Sequence, residues 1–224
     1  MAWVVEAVKR AKRLDDVVVA TDDERIVAAV AACGGKAVMT PSELPSGTDR
    51  IACAARIVCG GDFADDDILV NIQGDEPLID PALIDRLVAR MQEGTRWDMA
   101  TAVTPIRSAA DLAAKTVVKV VLDRDDGALY FSRATIPCDR DRVPDLAGGL
   151  YVRHLGIYAY RGEFLKRYIA EPPCALELTE KLEQLRALWM GAKIAVVRTE
   201  DQGVGVDTPE DAERVAKLLA ARNA

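Results

Sequence analysis

Two acidic residues in distant parts of the 224-residue chain stand where predicted strands end. Asp75 follows the apolar run 67–72 within "NIQGDEP", and Asp207 comes after the strand-like segment 193–199. Ligands of open parallel sheets bind beyond the carboxyl ends of strands. Because Mg²⁺ takes one or two carboxylates together with waters and substrate phosphates, the two acids predict a shared Mg²⁺ site. The alternatives are an ordinary turn at Asp75 and a helix cap by Asp207 or Thr208.

A second polar group opens a predicted helix in "PSGTDR" (45–50). Ser46, Gly47 and Thr48 offer hydroxyls and free backbone N–H groups, which favour an anion at a helix start. Arg50 adds a positive charge one turn later. Taken alone, the pattern is explained more simply by Ser46 as a helix cap and Arg50 as a solvated charge.

The single histidine, His154, lies in the strand-like segment "YVRHLGIYAYR". An alternation of two places His154, Gly156 and Tyr158 on one face. Gly156 leaves a gap on that face, which suits a polar ligand. The same face would also suit a dimer interface, and a lone histidine in a strand is more often a core or surface residue.

A further pair of polar residues, Glu183 and Gln184, lies in the helical segment "ELTEKLEQLRALWM". The pair falls off the predicted apolar stripe of Leu182, Leu185, Leu188 and Trp189. Taken alone, this pattern favours a solvated helix face.

The overall composition excludes several classes of protein. The net charge of −7 argues against broad nucleic-acid binding, which needs a basic face. Five cysteines without a C-x-x-C pair, and one histidine, do not form a Cys/His zinc cluster, so reduced thiols in a cytoplasmic protein are the simplest interpretation. No apolar run approaches the roughly 18–20 residues that span a bilayer.

Apolar strands alternate with helices along most of the chain, which predicts an α/β fold with a parallel sheet covered by helices on both faces. Between residues 117 and 160 the segments become longer, alternating or aromatic, and they predict an inserted antiparallel β lobe. We interpret residues 1–224 as one domain. The predicted strands are 17–21, 36–40, 67–72, 98–106 and 193–199, and the predicted helices are 2–13, 22–35, 46–58, 80–92, 162–170, 176–190 and 208–223.

Several motifs in one order resemble the 3-deoxy-D-manno-octulosonate (Kdo) cytidylyltransferase family, and the likeness covers nearly the whole chain. These motifs are "VATDDE", "SGTDR", "VNIQGDEP", "VKVVLD", "ALYFSRATIP", "RHLGIYAYR", "LEQLRALW" and "GVDTPEDAERV". The resemblance implies a Rossmann-like nucleotidyltransferase fold. It also implies Mg²⁺-dependent conversion of CTP and Kdo to CMP-Kdo and pyrophosphate, for lipopolysaccharide synthesis. A cytoplasmic homodimer, with the β lobe near its interface, is implied as well.

The resemblance assigns a role to each candidate residue. Asp75 and Asp207 resemble the Mg²⁺-binding catalytic carboxylates, whereas Glu76 looks structural. The residues that resemble the Kdo pocket are Gln73, Arg133, His154, Tyr158, Glu183 and Gln184. The residues that resemble part of the cytidine site are Ser46, Gly47, Thr48 and Arg50. Arg133 would pair with the carboxylate of the sugar acid, which a planar guanidinium suits.

The chain departs from the family pattern at its start. Family members open with a strand and a basic, glycine-containing phosphate loop, whereas here the first residues match the first helix. The first strand would lie between "VVVAT" and "ILVNI", and its loss would leave a gap of about 10 Å with two unpaired edges. We therefore expect the 224-residue chain to be poorly stable and weakly active, and we expect a longer natural start.

The sequence is also compatible with two rival functions. One is another sugar-acid cytidylyltransferase, such as a CMP-sialic acid synthetase. The other is a non-catalytic remnant that binds Kdo or dimerises. A Rossmann dehydrogenase is disfavoured, since no G-x-G-x-x-G follows a strand.

Overall fold

The computed structural model describes residues 1–93, 96–201, 203, 205–206 and 208–222. Helices and strands alternate along most of this length, as the sequence predicts. The helices are α1 (Ala2–Val8), α2 (Glu24–Ala32), α3 (Gly47–Cys59), α4 (Pro81–Gln92), α5 (Ala109–Ala113), α6 (Gly162–Ala170), α7 (Ala175–Glu180), α8 (Gln184–Trp189) and α9 (Pro209–Arg222). The strands are β1 (Val18–Thr21), β2 (Lys36–Met39), β3 (Ile68–Asn71), β4 (Met99–Pro105), β5 (Lys119–Leu122), β6 (Ala128–Ser132), β7 (Val152–Arg161) and β8 (Ile194–Arg198).

Short polar side chains set the starts of several helices. Asp23, Ser46, Asp80 and Ser108 each accept a hydrogen bond from a backbone N–H in the first turn of the helix that follows. These bonds satisfy donors that a helix start leaves without partners. At Asp80 the cap is followed by Pro81 at the first helical position, as predicted.

The strands form two sheets. β1 and β2 pair in parallel as a two-stranded sheet. The second sheet has the order β6-β5-β7-β4-β8, and β3 also pairs with β7. β1 and β3 therefore belong to different sheets.

The prediction of a parallel sheet is wrong at the centre of the larger sheet, because β7, which belongs to the predicted antiparallel lobe, lies between β3 and β4. β4 and β8 are parallel, but β7 runs antiparallel to both β3 and β4. The first part of β7 also pairs with β5 of the predicted lobe, so one strand belongs to both the lobe and the main sheet. The apolar patterns of β3 and β4 indicate that both faces of these strands are buried. Any strand inside a covered sheet shows this pattern, so the pattern does not report whether the neighbouring strand is parallel or antiparallel.

The larger sheet has a hydrophobic core on each face, and β4 contributes to both. Met99 and Val103 lie in the first core, whereas Ala100 and Ala102 lie in the second. This alternation follows from the two-residue period of a strand.

Helices cover both cores. Ala52 of α3, Phe164 of α6 and Leu185 of α8 pack in the first core. Val4 of α1 and Leu87 of α4 pack in the second. The prediction of helices on both faces is therefore confirmed.

None of the helices in the described part of the chain is long and apolar enough to cross a membrane.

One predicted helix, 176–190, is divided in two. Lys181 has a φ of 54° and ends α7, and α8 begins three residues later. A residue in this left-handed conformation cannot continue a right-handed helix. The break changes which side chains face inward, since Gln184 is buried whereas Trp189, predicted in the core stripe, is 58% exposed.

We expect Leu87→Ala to destabilise the protein by about 2–5 kcal/mol, because Leu87 is fully buried in the second core and its truncation leaves a cavity. Val143→Ala is the matched control, because Val143 is 89% exposed, and we expect a change within about 0.5 kcal/mol there. Urea unfolding of the two variants measures both values. Equal losses would contradict the assignment of Leu87 to the core.

Candidate active site

The candidate site is centred on β7, which brings distant segments together. The antiparallel pairing with β3 sets Asn71 opposite Tyr158. The turn that carries Gln73 and Asp75 follows Asn71 directly. It therefore begins beside the part of β7 that carries His154 and Tyr158.

The pairing of β7 with β4 is interrupted at the site. Thr101 pairs with Tyr158, but the next residue, Ala102, pairs with Leu155. Gly156 and Ile157 are thus extra residues on β7, as in a β-bulge. Gly156 is exposed, and a Cβ there would meet no atom within 4 Å, which confirms the predicted gap.

Aromatic rings surround His154. The ring centroids of His154 and Tyr158 are 5.3 Å apart, and Phe131 contacts the imidazole edge-on, also at 5.3 Å. Burial lowers the pKa of His154 from 6.5 to about 3. Burial also raises the pKa of Tyr158 well above its ordinary value. Both side chains are therefore neutral at pH 7.

Gln184 lies inside the site and not on a solvated face, in contrast to the simplest interpretation of the sequence. Its Oε1 accepts a hydrogen bond of 3.3 Å from the Tyr158 hydroxyl. The residue is 3% exposed, and its buried Nε2 has no hydrogen-bond partner among the described residues. An unpaired buried donor is costly, so this amide is suited to a ligand oxygen.

Glu183 is partly buried and is tied to the start of α3. The Thr48 hydroxyl donates to Glu183 Oε2 at 3.0 Å and lies 3.4 Å from the Tyr160 hydroxyl. Thr48 is 2% exposed, and its side chain contacts Glu183, which the resemblance assigns to the Kdo pocket.

The other residues predicted for the nucleotide make contacts within the chain. Ser46 caps α3 and donates to Asp49, as the simpler interpretation predicts. Arg50 donates to Thr40 at 2.7 Å and pairs with Asp22 at 3.4 Å, which ties α3 to the ends of β1 and β2. Gly47 would place a Cβ 3.9 Å from an Asn71 side-chain nitrogen. Nucleotide binding by these residues stays a prediction.

Arg133 lies just after β6, and its guanidinium donates to three backbone carbonyls. The acceptors are the carbonyl oxygens of Glu180 (2.6 Å), Lys115 (3.0 Å) and Lys181 (3.2 Å). Arginine has five N–H donors, so two remain for a ligand. These contacts place Arg133 at the junction of α7 and α8, which leads into Glu183 and Gln184.

A buried lysine supports the same junction, although sequence reasoning gave it no role. Lys119 is fully buried and donates to the carbonyls of Ala114, Val117 and Arg133. Burial lowers the pKa of its ammonium group.

A buried ion pair that the sequence did not reveal holds α8 in place. Arg186 pairs with Glu177 at 2.8 Å, and its guanidinium lies 4.3 Å from the ring centroid of Tyr168. The Tyr168 hydroxyl donates to the Glu183 carbonyl at 3.0 Å. The position of the α8 start therefore depends on these three side chains.

The predicted metal ligand Asp75 is exposed at the turn after β3. Its backbone carbonyl accepts a hydrogen bond of 2.8 Å from Val206 N–H, which brings the segment 205–206 to the turn. Asp207 itself lies outside the described residues. Within the described ranges, no group of three or more His, Cys, Asp and Glu side chains is arranged to hold a metal.

Gln73 and Glu76 line a cavity at the same turn, together with Gly156 of β7 and Gly203. The Glu76 carboxylate lies 3.8 Å from the point where a Cβ on Gly203 would stand. Gln73 is exposed. Its place beside Gly156 is compatible with the predicted contact to a sugar.

Comparison with known proteins shows the family to which this chain belongs. The cytidylyltransferase family model matches residues 1–194. The 3-deoxy-manno-octulosonate cytidylyltransferase of Bdellovibrio bacteriovorus is 48% identical over 223 residues, and that of Geotalea daltonii is 46% identical over 227 residues. In both comparisons the match covers 98% of this chain and 87% of the relative. This chain belongs to the 3-deoxy-manno-octulosonate cytidylyltransferase family.

A solved structure of a family member supports the fold assignment. The structure of CMP:2-keto-3-deoxy-manno-octonic acid synthetase complexed with CTP has a TM-score of 0.88 and 40% identity to this chain. The match covers 87% of the chain in that structure and 98% of this chain. The predicted family and nucleotidyltransferase fold are therefore confirmed.

We expect the imidazole of His154 to show no titration between about pH 8 and about pH 5, because burial holds its pKa near 3. The unfolded chain takes up this proton near pH 6.5, so the unfolding free energy should fall as the pH drops from 6.5 towards 3. NMR of the ring C–H protons measures the titration without ambiguity, since the chain has one histidine. His154→Gln should remove this part of the pH dependence of stability. A titration midpoint near 6.5 in the folded protein would contradict the assignment.

Proposed function

We propose that this chain transfers the cytidylyl group of CTP to Kdo and releases pyrophosphate and CMP-Kdo, for lipopolysaccharide synthesis. The observation that carries the proposal is the buried amide of Gln184, which lies beside Tyr158 and has no partner for Nε2 among the described residues. The family relatives, which are named for this sugar acid, favour it over sialic acid.

The polar groups of the site match a sugar acid with many hydroxyls. Gln184 offers a buried donor, His154 offers a neutral ring, and Arg133 keeps two N–H groups for a carboxylate. Gly156 leaves open space on the same strand. A buried site that hydrogen-bonds substrate hydroxyls rejects analogues that lack them.

We infer that Mg²⁺ takes part and that Asp75 holds it. The carboxylate is exposed at a strand end, and hard cations of this kind prefer carboxylate oxygens, waters and phosphates. When bound, the ion would polarise the reacting phosphate. Asp207 is the predicted second ligand.

We further propose direct in-line displacement, in which the anomeric hydroxyl of Kdo attacks the α-phosphorus and pyrophosphate leaves. Such transfer depends mainly on positioning and on neutralising charge, so it requires no protein nucleophile. His154 is a poor general base here, because a catalytic base should have a pKa near the working pH. Detection of a covalent enzyme–CMP intermediate would contradict this mechanism.

The homodimer and the cytoplasmic location stay predictions.

The sequence predicts weak activity for the purified chain, and we expect the pyrophosphate that it does release from CTP to be far greater with Kdo than with sialic acid at the same concentration. We expect this preference because the family relatives are named for Kdo and not for sialic acid. A coupled pyrophosphate assay measures both rates. Faster release with sialic acid would favour the rival sugar acid, and calorimetric binding of Kdo without release would favour a non-catalytic protein.

We expect Asp75→Asn to lower kcat/KM by about 100-fold or more, because a metal carboxylate contributes several kcal/mol of charge stabilisation. Asp62→Asn is the matched control. Asp62 pairs with Arg56 on the surface, where a salt bridge contributes little. Kinetics at several Mg²⁺ concentrations should show a weaker Mg²⁺ dependence only for Asp75→Asn. Equal activity of the two variants would overturn the assignment of Asp75.

A further inference from the structure

Thr101 lies under the site at the point where the pairing of β4 with β7 is interrupted. Its side chain is fully buried, and its hydroxyl oxygen has three close neighbours. The Ile157 carbonyl oxygen is 2.8 Å away, Nε2 of His154 is 2.9 Å away, and the Leu155 carbonyl oxygen is 3.3 Å away. Thr101 thus connects the imidazole with Ile157, one of the two extra residues of β7.

The protons of this group can be assigned by counting donors and acceptors. Threonine has one hydroxyl proton, and carbonyl oxygens only accept. If Thr101 donated to His154, its oxygen would face the Ile157 carbonyl at 2.8 Å with no proton between them. If Thr101 donates to Ile157 and His154 donates from Nε2, each of the two shortest contacts, at 2.8 and 2.9 Å, contains one proton.

The second arrangement is therefore favoured, since a buried polar group without a hydrogen bond is costly. The other ring nitrogen, Nδ1, then carries a lone pair and no proton, because a neutral imidazole has one N–H. Nδ1 makes no hydrogen bond within the part of the chain that the structure describes. Nδ1 can therefore accept a hydrogen bond from a ligand.

We propose that Thr101 is a positioning residue that holds His154 in the Nε2–H tautomer, so that Nδ1 accepts a hydrogen bond from a hydroxyl of the sugar acid. The part that concerns the tautomer depends only on the contacts of Thr101. The part that concerns the sugar hydroxyl rests on the proposed function.

The tautomer can be measured directly, because the chain has a single histidine. In protein labelled with ¹⁵N-histidine, we expect Nε2 to carry the proton and Nδ1 to have the ¹⁵N shift of an unprotonated ring nitrogen. Addition of Kdo should move the Nδ1 resonance towards that of a hydrogen-bonded nitrogen. A proton on Nδ1, or an equal mixture of tautomers, in the free protein would overturn the role of Thr101.

Two variants separate positioning from packing. Thr101→Ser keeps the hydroxyl, so the single tautomer should persist, and the KM for Kdo should rise by at most about threefold, well under the loss of one hydrogen bond. Thr101→Val keeps the shape but removes the hydroxyl, so the Nε2 proton should exchange faster with solvent. Its KM for Kdo should rise by about tenfold, which corresponds to one lost hydrogen bond, with little change in the KM for CTP.

The outcomes distinguish this inference from the proposed function. If Thr101→Val matches Thr101→Ser in both the spectrum and the KM, the positioning role is overturned. If the wild-type spectrum shows the Nε2–H tautomer but Kdo leaves Nδ1 unchanged, the sugar contact is overturned while the tautomer assignment stands. The wild-type spectrum decides the tautomer even if a variant fails to fold.

Discussion

The interruption of the pairing between β7 and β4 is the constraint on which the site depends. Two extra residues, Gly156 and Ile157, keep His154 and Tyr158 on one face of β7 while breaking the regular ladder beside them. The break frees carbonyl groups, and the buried hydroxyl of Thr101 binds them together with His154. Because β7 also pairs with β3, the same strand brings the turn that carries Asp75 to the site.

On the opposite side of the site, a buried ion pair holds the start of α8 in place. Arg186 and Glu177 are both nearly excluded from solvent, and such a pair is costly to break because one charge would remain unpaired. Together with Tyr168 it fixes the start of α8, and so it fixes Gln184 against Tyr158. Donors and acceptors are therefore in place before a ligand arrives, which reduces the entropy lost on binding.

The sequence predicted elements and their order well, because these follow from local periodicity and caps such as Asp80. It did not predict that β7 of the antiparallel lobe lies between β3 and β4, since the apolar pattern of a central strand reports burial and not which strand lies beside it. It also failed at Lys181, because nothing in the local pattern predicts a left-handed lysine that ends α7. As a result, the local pattern taken alone favours a solvated face for Gln184, although the resemblance assigns the residue to the Kdo pocket.

Family resemblance found the candidate residues, but it did not find what supports them. Thr101, Lys119 and Arg186 act through partners that are distant in the sequence, so no local motif marks them. The resemblance assigns Thr48 to the cytidine site, which stays a prediction, and it does not reveal the bond from the Thr48 hydroxyl to Glu183. Asp207 lies outside the described residues, so its place as a second carboxylate stays a prediction.

A crystal structure of the chain with Kdo and CTP tests the central claim most directly. The account predicts that the sugar acid lies between His154, Tyr158 and Gln184, with a sugar oxygen within hydrogen-bond distance of Gln184 Nε2. A sugar bound elsewhere, with that nitrogen still without a partner, would contradict it.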